Sequence, residues 1–429
     1  MLGTSGVRGH YGTEITPELI MRIANAFAEE GIAIGRDTRE SGPALEEAAV
    51  SGIVSAGKDA RMLGIAPTPA VAFETMKGGR GLMVTASHNP PDHNGLKLLR
   101  NGREMANKDA ERMLARFETG LEAAAVPGSS FEYDIYPEYI EFLYSLVDAA
   151  AVERKKPKVV VDANGAACRA TPELLGKMGC RVYSLNCEGH GLNRPSEPSA
   201  GNLGWVRSAV KALGADFGVA HDGDGDRCVI IDEKGEVLNP DVQLALMIEE
   251  ELGAGKGKIV STVESSLIIK EAAEEAGGEF VLTPVGSTHV GEALEREGAV
   301  FGGEPAGEYV FARGVHVPDG VLTAAKFAEM FARSGNFSSL AGRFRPNPMV
   351  REKFPTKDRE KAMGKIASEM SLGGEVSSMD GLRVDGEGWW VLVRPSGTEK
   401  IIRLTAEAET RELLEKVAGK AREAVRNSV

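Results

Sequence analysis

A strand–loop–helix–strand pattern occurs three times in this chain and constrains its fold more than any other feature. The three copies begin with apolar runs at residues 32–34, 158–161 and 258–260. A polar loop, a helix and a second strand follow each run, which is the order of a βαβ unit. Because strands joined by such a crossover lie parallel, the pattern predicts three similar mixed α/β domains.

The helices of these units have recognisable ends. The first is predicted over residues 43–56, with Gly57 as the glycine just beyond its C-terminus. The second is predicted to start with Thr171 as N-cap and Pro172 at the first helical position. The third is predicted to end near Gly277.

The end of the chain has a different pattern. Two predicted strands flank a short loop and a helix follows, which indicates a smaller C-terminal α+β domain. A polar, proline-bearing run at residues 343–348 marks the start of this domain. A chain of 429 residues is longer than a single hydrophobic core usually supports, so several domains are expected. The predicted domains are residues 1–147, 148–245, 246–345 and 346–429.

Composition excludes some classes of function. A formal net charge of −13 argues against nucleic acid as a partner, since phosphate backbones require a basic surface. Neither a signal peptide nor an apolar run of membrane-spanning length is apparent, so no membrane association is expected. The 4 cysteines form no C-x-x-C pair, which is typical of reduced thiols in a cytoplasmic protein.

Residues 85–97 place the hydroxyl of Ser87 in a loop rich in turn formers, with Lys97 close behind. The apolar run before the loop is predicted to be a buried strand, which suits a nucleophile or a phosphate carrier. An ordinary turn is the alternative, because Asn-Pro and Asn-Gly are common turn dipeptides. A serine hydrolase built on Ser87 and His88 is not expected, because adjacent side chains should point apart and no G-x-S-x-G elbow is present.

The run DGDGDR places carboxylates at alternate positions, namely Asp222, Asp224 and Asp226. They can converge on one hard cation, which prefers oxygen ligands. An EF-hand is not expected, because Arg227 stands where that loop requires glycine. The sequence therefore predicts a Mg²⁺-type site with an open face, and a solvated acidic turn is the alternative.

Three further segments are candidates for ligand contact. Glycines surround Glu304 and Glu308, which suits a polyhydroxyl ligand, although a surface turn is the alternative. Residues 394–400, RPSGTEK, combine an arginine, hydroxyls and backbone amides into a candidate phosphate cradle, with a plain hairpin turn as the alternative. Arg8, in the glycine-rich N-terminal run, could face an anion or belong to a flexible tail.

Together these motifs resemble those of the α-D-phosphohexomutases, which interconvert sugar 6-phosphates and sugar 1-phosphates. The resemblance extends from GTSGVRG near residue 3 to RPSGTEK near residue 400, essentially the whole chain. The resemblance is most specific in TASHNPPDHNGLK and DGDGDR. It is weakest in the glycine-rich segment around Glu304 and Glu308, which corresponds to the family's sugar loop. It implies four domains around a central cleft, each donating one loop.

The resemblance also implies roles for matching residues. Ser87 would be phosphorylated, and a phosphoserine oxygen would join the three aspartates in holding Mg²⁺. Arg8, Lys97 and Arg227 match positions near the transferred phosphate. Glu304 would contact sugar hydroxyls. The phosphate that is not transferred would be bound by Arg394, Ser396, Gly397 and Thr398.

The sugar loop departs from the family pattern. That loop usually reads G-E-x-S-G-H, whereas here Ala306 replaces the serine and Glu308 replaces the histidine. Both positions remain predicted substrate contacts, together with His289. Lys97 is the first candidate for the general base, because a lysine in a cationic cluster can have a lowered pKa. A pure phosphate clamp is the alternative for Lys97, and His289 is the second candidate base.

The predicted reaction passes phosphate from Ser87 to a sugar monophosphate, turns the bisphosphate over, and returns the other phosphate to Ser87. Charge stabilisation and in-line positioning are the main needs of such a transfer. The expected cofactors are Mg²⁺ and an activating sugar bisphosphate, and the expected partner is a small phosphosugar, with the protein a monomer or homodimer. GTSGVRG slightly favours a phosphoglucosamine mutase over a phosphomannomutase/phosphoglucomutase; a non-catalytic cation- or sugar-phosphate-binding protein is the distant alternative.

Overall fold

Four β-sheets, each built from a different stretch of the chain, form the framework of the fold. The computed structural model describes residues 6–105, 107–253, 255–396 and 400–429. The first stretch contains β1 (Val7–His10), α1 (Pro17–Phe27), β2 (Ile32–Arg36), α2 (Gly42–Ser55), β3 (Ala60–Ile65), α3 (Thr68–Glu74), β4 (Arg80–Val84), β5 (His93–Arg100), β6 (Arg103–Glu104), α4 (Asn107–Thr119) and β7 (Ser130–Glu132).

The second stretch contains α5 (Tyr136–Tyr144), α6 (Ala149–Lys155), β8 (Lys158–Asp162), α7 (Ala170–Lys177), β9 (Arg181–Leu185), α8 (Gly204–Leu213), β10 (Phe217–His221) and β11 (Cys228–Ile231). The third contains α9 (Pro240–Leu252), β12 (Lys258–Thr262), α10 (Leu267–Glu275), β13 (Glu279–Thr283), α11 (Ser287–Glu297), β14 (Phe301–Glu304), β15 (Glu308–Phe311), α12 (Gly320–Ser334) and α13 (Phe337–Ala341). The last contains β16 (Met349–Pro355), α14 (Arg359–Glu369), β17 (Glu375–Ser377), β18 (Leu382–Gly386), β19 (Trp389–Pro395), β20 (Ile401–Ala408) and α15 (Arg411–Ser428).

The first three sheets share one strand order. Their common parts run β5-β4-β2-β3, β11-β10-β8-β9 and β15-β14-β12-β13. In each, the βαβ strands pair in parallel and the outer strand pairs antiparallel with its neighbour. The prediction of three similar α/β domains is confirmed, and the fourth sheet, antiparallel throughout, belongs to the smaller C-terminal domain.

The hydrophobic core joins the first three units more closely than the fourth. One continuous cluster of buried side chains runs from α3 through the second sheet to α12. The C-terminal domain has its own cluster beneath β19, β20 and α15. It meets the third unit through a small apolar contact in which Trp390 and Leu392 pack with Val263.

Most predicted helix ends are confirmed. Gly57 follows α2 with a φ of 74°, and Gly277 follows α10 with a φ of 81°. The predicted start of the second helix is wrong, because α7 begins at Ala170 and Arg169 is its N-cap. Thr171 lies within the first turn, and its Oγ1 is 2.9 Å from Nε2 of His221, so its hydroxyl makes a buried tertiary contact instead of a cap.

The described part of the chain contains no helix with both the length and the apolar character that crossing a bilayer demands. The four cysteines are all free thiols.

Candidate active site

Each α/β unit places a functional loop at the same topological position. The strands β4, β10 and β14 each turn back into an antiparallel neighbour, β5, β11 and β15. Ser87 lies in the first turn, the three aspartates lie in the second, and Glu304 and Glu308 flank the third. In the C-terminal domain a fourth turn, between β19 and β20, carries Ser396. The sequence predicted each of these loops separately, but it did not show that they occupy equivalent positions in the sheets.

The serine loop holds Ser87 in an unusual backbone conformation. Its φ is 50°, in the left-handed region that residues other than glycine rarely adopt, and the residue is only 2% exposed. Its amide donates to Oγ1 of Thr85 at 2.8 Å, and its Oγ donates to Oδ2 of Asp222 at 2.9 Å. Because such strain persists only where the surroundings impose it, the fold sets the direction of this hydroxyl.

The expectation that Ser87 and His88 point apart is wrong. Oγ of Ser87 lies 3.3 Å from Nδ1 of His88, because the left-handed turn at Ser87 curls the two side chains together. Burial lowers the pKa of His88 to about 3, and the cationic side chains of Arg227 and Arg8 act in the same direction. A neutral imidazole therefore stands beside the serine, although the hydrolase elbow remains absent from the sequence.

Arg39 supports the serine loop from beneath and was missed by sequence reasoning. Its guanidinium donates to the carbonyl oxygens of Ser87 and Asn89, both at 2.8 Å, and to that of His93 at 2.9 Å. Asp37 accepts from its Nε at 2.9 Å, and the pair is fully buried. The sequence signal that could have indicated Arg39 is the charged run at residues 37–39, which follows the carboxyl end of β2.

The metal loop (residues 222–227) approaches the serine loop (residues 85–92) closely because Gly223 has no side chain. A Cβ at this position would lie 2.8 Å from the carbonyl oxygen of Ser87. Ser196 joins the two loops, since its Oγ donates to that same oxygen at 2.7 Å and accepts from the amide of Gly223 at 2.8 Å. The motif's glycine is thus required by the contact between two units of the fold.

The three aspartates converge as the sequence predicted. Their carboxylate oxygens lie within 4.8 Å of one another, and all three residues are buried. Gly225, with a φ of 69°, lets the loop turn sharply between them. Thr68 adds a contact from the first unit, because its Oγ1 donates to Oδ2 of Asp224.

Electrostatics of this cluster favour a bound cation. Burial and the neighbouring carboxylates raise the pKa of Asp222 well above its ordinary range and that of Asp226 to about 6. Burial also opposes ionisation of Asp224, but Lys97 and Thr68 outweigh it and lower its pKa. Oδ1 of Asp224 and Oδ1 of Asp226 are buried and have no hydrogen-bond partner among the described residues. Oxygen ligands with free lone pairs and excess negative charge fit Mg²⁺.

Lys97 is inserted into the same cluster from β5. Its Nζ lies 2.7 Å from Oδ2 of Asp224 and 2.6 Å from Oδ2 of Asp226. Burial alone would lower the pKa of Lys97, but the two carboxylates dominate and raise it. The predicted lowering of its pKa is therefore wrong in this arrangement, because the lysine lies among anions rather than cations.

The two candidate arginines come from different units of the fold. Arg8, on β1, pairs with Gly95 of β5, and its buried Nε has no hydrogen-bond partner among the described residues. Arg227, at the end of the metal loop, lies 2.8 Å from a carboxylate oxygen of Glu308 and 3.1 Å from both oxygens of Glu197. Glu197 was missed because it lies in an irregular segment without a motif.

The sugar loop contains two carboxyls whose pKa values shift in opposite directions. Burial and the neighbouring Glu308 raise the pKa of Glu304 well above its ordinary range. Burial opposes ionisation of Glu308 as well, but Arg227 outweighs it and holds the pKa of Glu308 at about 2. The amide of Gly286 donates to Glu304 at 3.2 Å, and Ala306 contributes a backbone bond across the turn. Glu308 is therefore ionised at neutral pH, and Glu304 holds its proton more strongly than an ordinary carboxyl does.

The phosphate loop borders a cavity of 570 Å³ between the third unit and the C-terminal domain. Arg394, Ser396 and His289 are among its lining residues. Arg394 is paired with Glu264 at 3.0 Å and with Asp380 at 3.6 Å. His289 thus stands beside the predicted phosphate cradle, which favours binding over proton transfer. The predicted contacts Gly397 and Thr398 lie outside the described residues.

Comparison with known proteins shows the family to which this chain belongs. The sequence matches four domains described as phosphoglucomutase/phosphomannomutase: alpha/beta/alpha domain I over residues 1–124, domain II over 137–235, domain III over 239–346 and the C-terminal domain over 349–424. The chain belongs to the phosphoglucomutase/phosphomannomutase family.

Individual relatives agree over nearly their whole length. A protein of Thermococcus kodakarensis named phosphoglucomutase/phosphomannomutase is 38% identical, with 96% of this chain and 95% of the relative covered. A probable phosphoglucosamine mutase of Pyrococcus abyssi is 36% identical, with 100% and 98% covered. The crystal structure of a phosphoglucomutase/phosphomannomutase family protein from Burkholderia thailandensis superimposes with a TM-score of 0.87 at 27% identity, covering 100% of this chain and 97% of the other.

Proposed function

We propose that this protein is a phosphohexose mutase that interconverts hexose 6-phosphates and hexose 1-phosphates, with glucosamine phosphate as the favoured substrate. The observation that carries the proposal is the buried contact between Oγ of Ser87 and Asp222, within the cluster of three aspartates and Lys97. That arrangement joins a candidate phosphate carrier to a site with oxygen ligands for a divalent cation. An intramolecular phosphotransferase requires both.

Phosphate is carried on Ser87 in this proposal. The bond between Oγ of Ser87 and phosphorus breaks as a hydroxyl of the sugar monophosphate forms a new bond to phosphorus. The resulting bisphosphate turns over in the cleft, and its other phosphate returns to Ser87. A sugar bisphosphate from solution would phosphorylate the serine initially, which explains its role as activator.

Charge on the transferred phosphoryl group is stabilised from several sides. Asp222, Asp224 and Asp226 would hold Mg²⁺ with an oxygen of phosphorylated Ser87, and the ion would supply charge compensation. The phosphate adds about −1.5 to −2 charges, which balances the cations around it. Lys97, Arg8 and Arg227 contribute fixed positive charge that needs no reorganisation during transfer.

The sugar hydroxyl loses a proton as it attacks. Lys97 is held protonated by Asp224 and Asp226 in this geometry, which suits a phosphate clamp. His88 is neutral and its Nδ1 lies 3.3 Å from Oγ of Ser87, so it could accept the proton of that hydroxyl when Ser87 takes a phosphate from the bisphosphate. We therefore add His88 to Lys97 and His289 as a candidate proton acceptor.

Reorientation of the bisphosphate requires a second binding site for the phosphate that is far from Ser87. We propose that Arg394 and Ser396, with Gly397 and Thr398, bind the phosphate that is not being transferred. His289 shares their cavity and would contribute a polar contact. Glu304, the backbone at Ala306, and Glu308 would face the sugar ring in both orientations.

The acidic sugar loop supports a preference for glucosamine phosphate. The pKa of Glu308, about 2, keeps this carboxyl ionised, whereas a histidine usually occupies its position in the family that the sequence resembles. The 2-amino group of glucosamine is a cation when protonated, whereas glucose and mannose have a neutral hydroxyl there. Relatives named probable phosphoglucosamine mutase, at 34–37% identity, agree with this choice.

The test is a side-by-side measurement of kcat/KM for glucosamine, glucose and mannose phosphates, with Mg²⁺ and a catalytic amount of bisphosphate. We expect glucosamine phosphate to have the highest value. A higher value for mannose or glucose phosphate would assign the phosphomannomutase/phosphoglucomutase alternative. Absence of turnover with all three would contradict the mutase proposal itself.

We also propose domain limits at residues 1–147, 148–245, 246–345 and 346–429, a cytoplasmic location, and a monomer or homodimer. Limited proteolysis with mass analysis of the fragments tests the limits, and size exclusion with light scattering tests the assembly.

A further inference from the structure

A second cluster of metal-ligating side chains lies outside the aspartate site. His10 ends β1, and His93 begins β5, and the two residues are direct antiparallel partners. Their rings stand 4.0 Å apart between centroids. Asp92 lies between them, with carboxylate oxygens 3.4 Å from Nδ1 of His10 and 2.9 Å from Nδ1 of His93.

The spacing of these atoms fits one small ion. The three possible ligand atoms lie within 4.8 Å of one another. Ligands of a tetrahedral Zn²⁺ with bonds of about 2.0–2.1 Å are roughly 3.4 Å apart. The contacts of His10 and His93 with Asp92, at 3.4 and 2.9 Å, are close to that value.

The donor set selects the class of ion. Two imidazoles and one carboxylate suit Zn²⁺ and its transition-metal neighbours, whereas Mg²⁺ prefers a shell of oxygens. We propose that His10, Asp92 and His93 form a binding site for a transition-metal ion of the Zn²⁺ class, separate from the Mg²⁺-type aspartate site.

The backbone around the cluster is held in place, which favours a defined site over a chance encounter. The amide of Tyr11 donates to the carbonyl of Asp92 at 3.0 Å, and Arg39 donates to the carbonyl of His93 at 2.9 Å. The amide of His10 donates to Oε2 of Glu14 at 2.8 Å. Side chains of His10 and Asp92 are 54% and 64% exposed, which leaves an entry path and an open position for water.

The location gives the site a consequence for the catalytic segments. β1 carries Arg8, and Asp92 and His93 form the exit of the loop that begins at Ser87. A metal ion bound here would join these two segments by a bridge that does not involve the aspartates. Metal binding at this cluster does not depend on the proposed function.

The experiment uses the full chain with excess Mg²⁺ to occupy the aspartate site. Co²⁺ is titrated while its visible absorption is recorded, because a low-coordinate site with nitrogen ligands absorbs far more strongly than the hydrated ion. Zn²⁺ affinity is then measured by competition. We expect one equivalent of Co²⁺ to bind and Zn²⁺ to displace it.

Matched variants locate the ion. The double variant His10→Gln/His93→Gln and the single variant Asp92→Asn should each weaken Zn²⁺ binding by at least about tenfold. His316→Gln, which alters a histidine outside the cluster, should bind as the wild type does. Unchanged affinity in both cluster variants, or no Co²⁺ absorption in the wild type, would overturn the proposal. Circular dichroism of each variant checks that the fold is retained.

Discussion

The serine–metal side of the site and the sugar–phosphate side are assembled in different ways. On the first side, groups from different units bond directly to one another, as in the contacts from Ser87 to Asp222 and from Lys97 to Asp224. On the second side, the cation proposed to bind the distant phosphate already has carboxylate partners, because Arg394 pairs with Glu264 and with Asp380. The reaction centre is therefore preorganised, whereas ligand recognition requires ion pairs to be exchanged.

The largest effect should follow from a change on the serine–metal side. Asp224→Asn keeps the size of the side chain but removes a charge that would hold Mg²⁺. We expect kcat to fall by about 100- to 1000-fold, as for loss of one key electrostatic contact in an active site. The coupled mutase assay over a range of Mg²⁺ concentrations measures it.

Asp241→Asn is the matched control for Asp224→Asn. Asp241 is an aspartate outside the cluster whose Oδ1 is buried, and burial raises its pKa to about 6, so loss of its charge should cost less than for an ordinary carboxyl. Its activity should stay close to that of the wild type. If Asp224→Asn retained its Mg²⁺ dependence and activity, the cation would have to bind elsewhere.

A smaller effect should follow from weakening the support of the serine loop. Arg39→Lys keeps the charge but loses the planar fork that reaches the carbonyls of Ser87, Asn89 and His93. We expect kcat to fall about tenfold and the free energy of unfolding to fall by about 1.5–3 kcal/mol. Urea unfolding and steady-state kinetics measure the two quantities.

Arg36→Lys provides the comparison for Arg39→Lys. Its guanidinium also pairs with a carboxylate, Glu46 at 2.9 Å, but makes no contact with the serine loop. Equal losses of kcat in the two variants would show that Arg39 has no special role in positioning Ser87.

Changes on the sugar–phosphate side should alter preference more than rate. Glu308→Gln removes the negative charge of the sugar loop and loosens Arg227. We expect the ratio of kcat/KM for glucosamine phosphate over glucose phosphate to fall about tenfold, or ~1.4 kcal/mol. Glu275→Gln, at an exposed position on α10 of the same domain, should leave the ratio unchanged. A parallel fall for both sugars would assign Glu308 to the reaction rather than to selection.

The smallest effect is a pH-dependent stabilisation by Mg²⁺. The folded-state pKa of Asp226, about 6, lies above its ordinary value of 3.8, so the folded protein binds more protons within that window. Stability of the chelated protein should therefore fall as pH rises through it. Mg²⁺ binding needs ionised carboxylates. The Tm of the protein with Mg²⁺ should therefore exceed that of the chelated protein by a few degrees near pH 7.5 and by less near pH 5.

Differential scanning calorimetry with chelator and with Mg²⁺ measures this gain. Asp226→Asn should remove much of the pH dependence. A Tm gain that is equal at both pH values would contradict assignment of the cation to the aspartates.

The same two regions show how far the amino-acid sequence predicts the fold and the site. The serine and metal loops carry their chemistry in contiguous runs, so the sequence alone singles out Ser87 and the aspartates, and the apolar runs predict the βαβ units. Arg39 and Thr68 were missed because they act across loops and units, through contacts that depend on the packing of the sheets. The pKa of Lys97 was misjudged for the same reason, since its carboxylate neighbours come from another unit.

Phosphorylation of Ser87 is the most direct test of the central claim. Protein treated with phosphatase, then incubated with glucose 1,6-bisphosphate and Mg²⁺, is analysed by intact mass and peptide mapping. The account predicts a gain of one phosphate on the peptide that contains Ser87, no gain in Ser87→Ala, and no mutase turnover by that variant. Phosphate on another residue, or substantial turnover by Ser87→Ala, would contradict it.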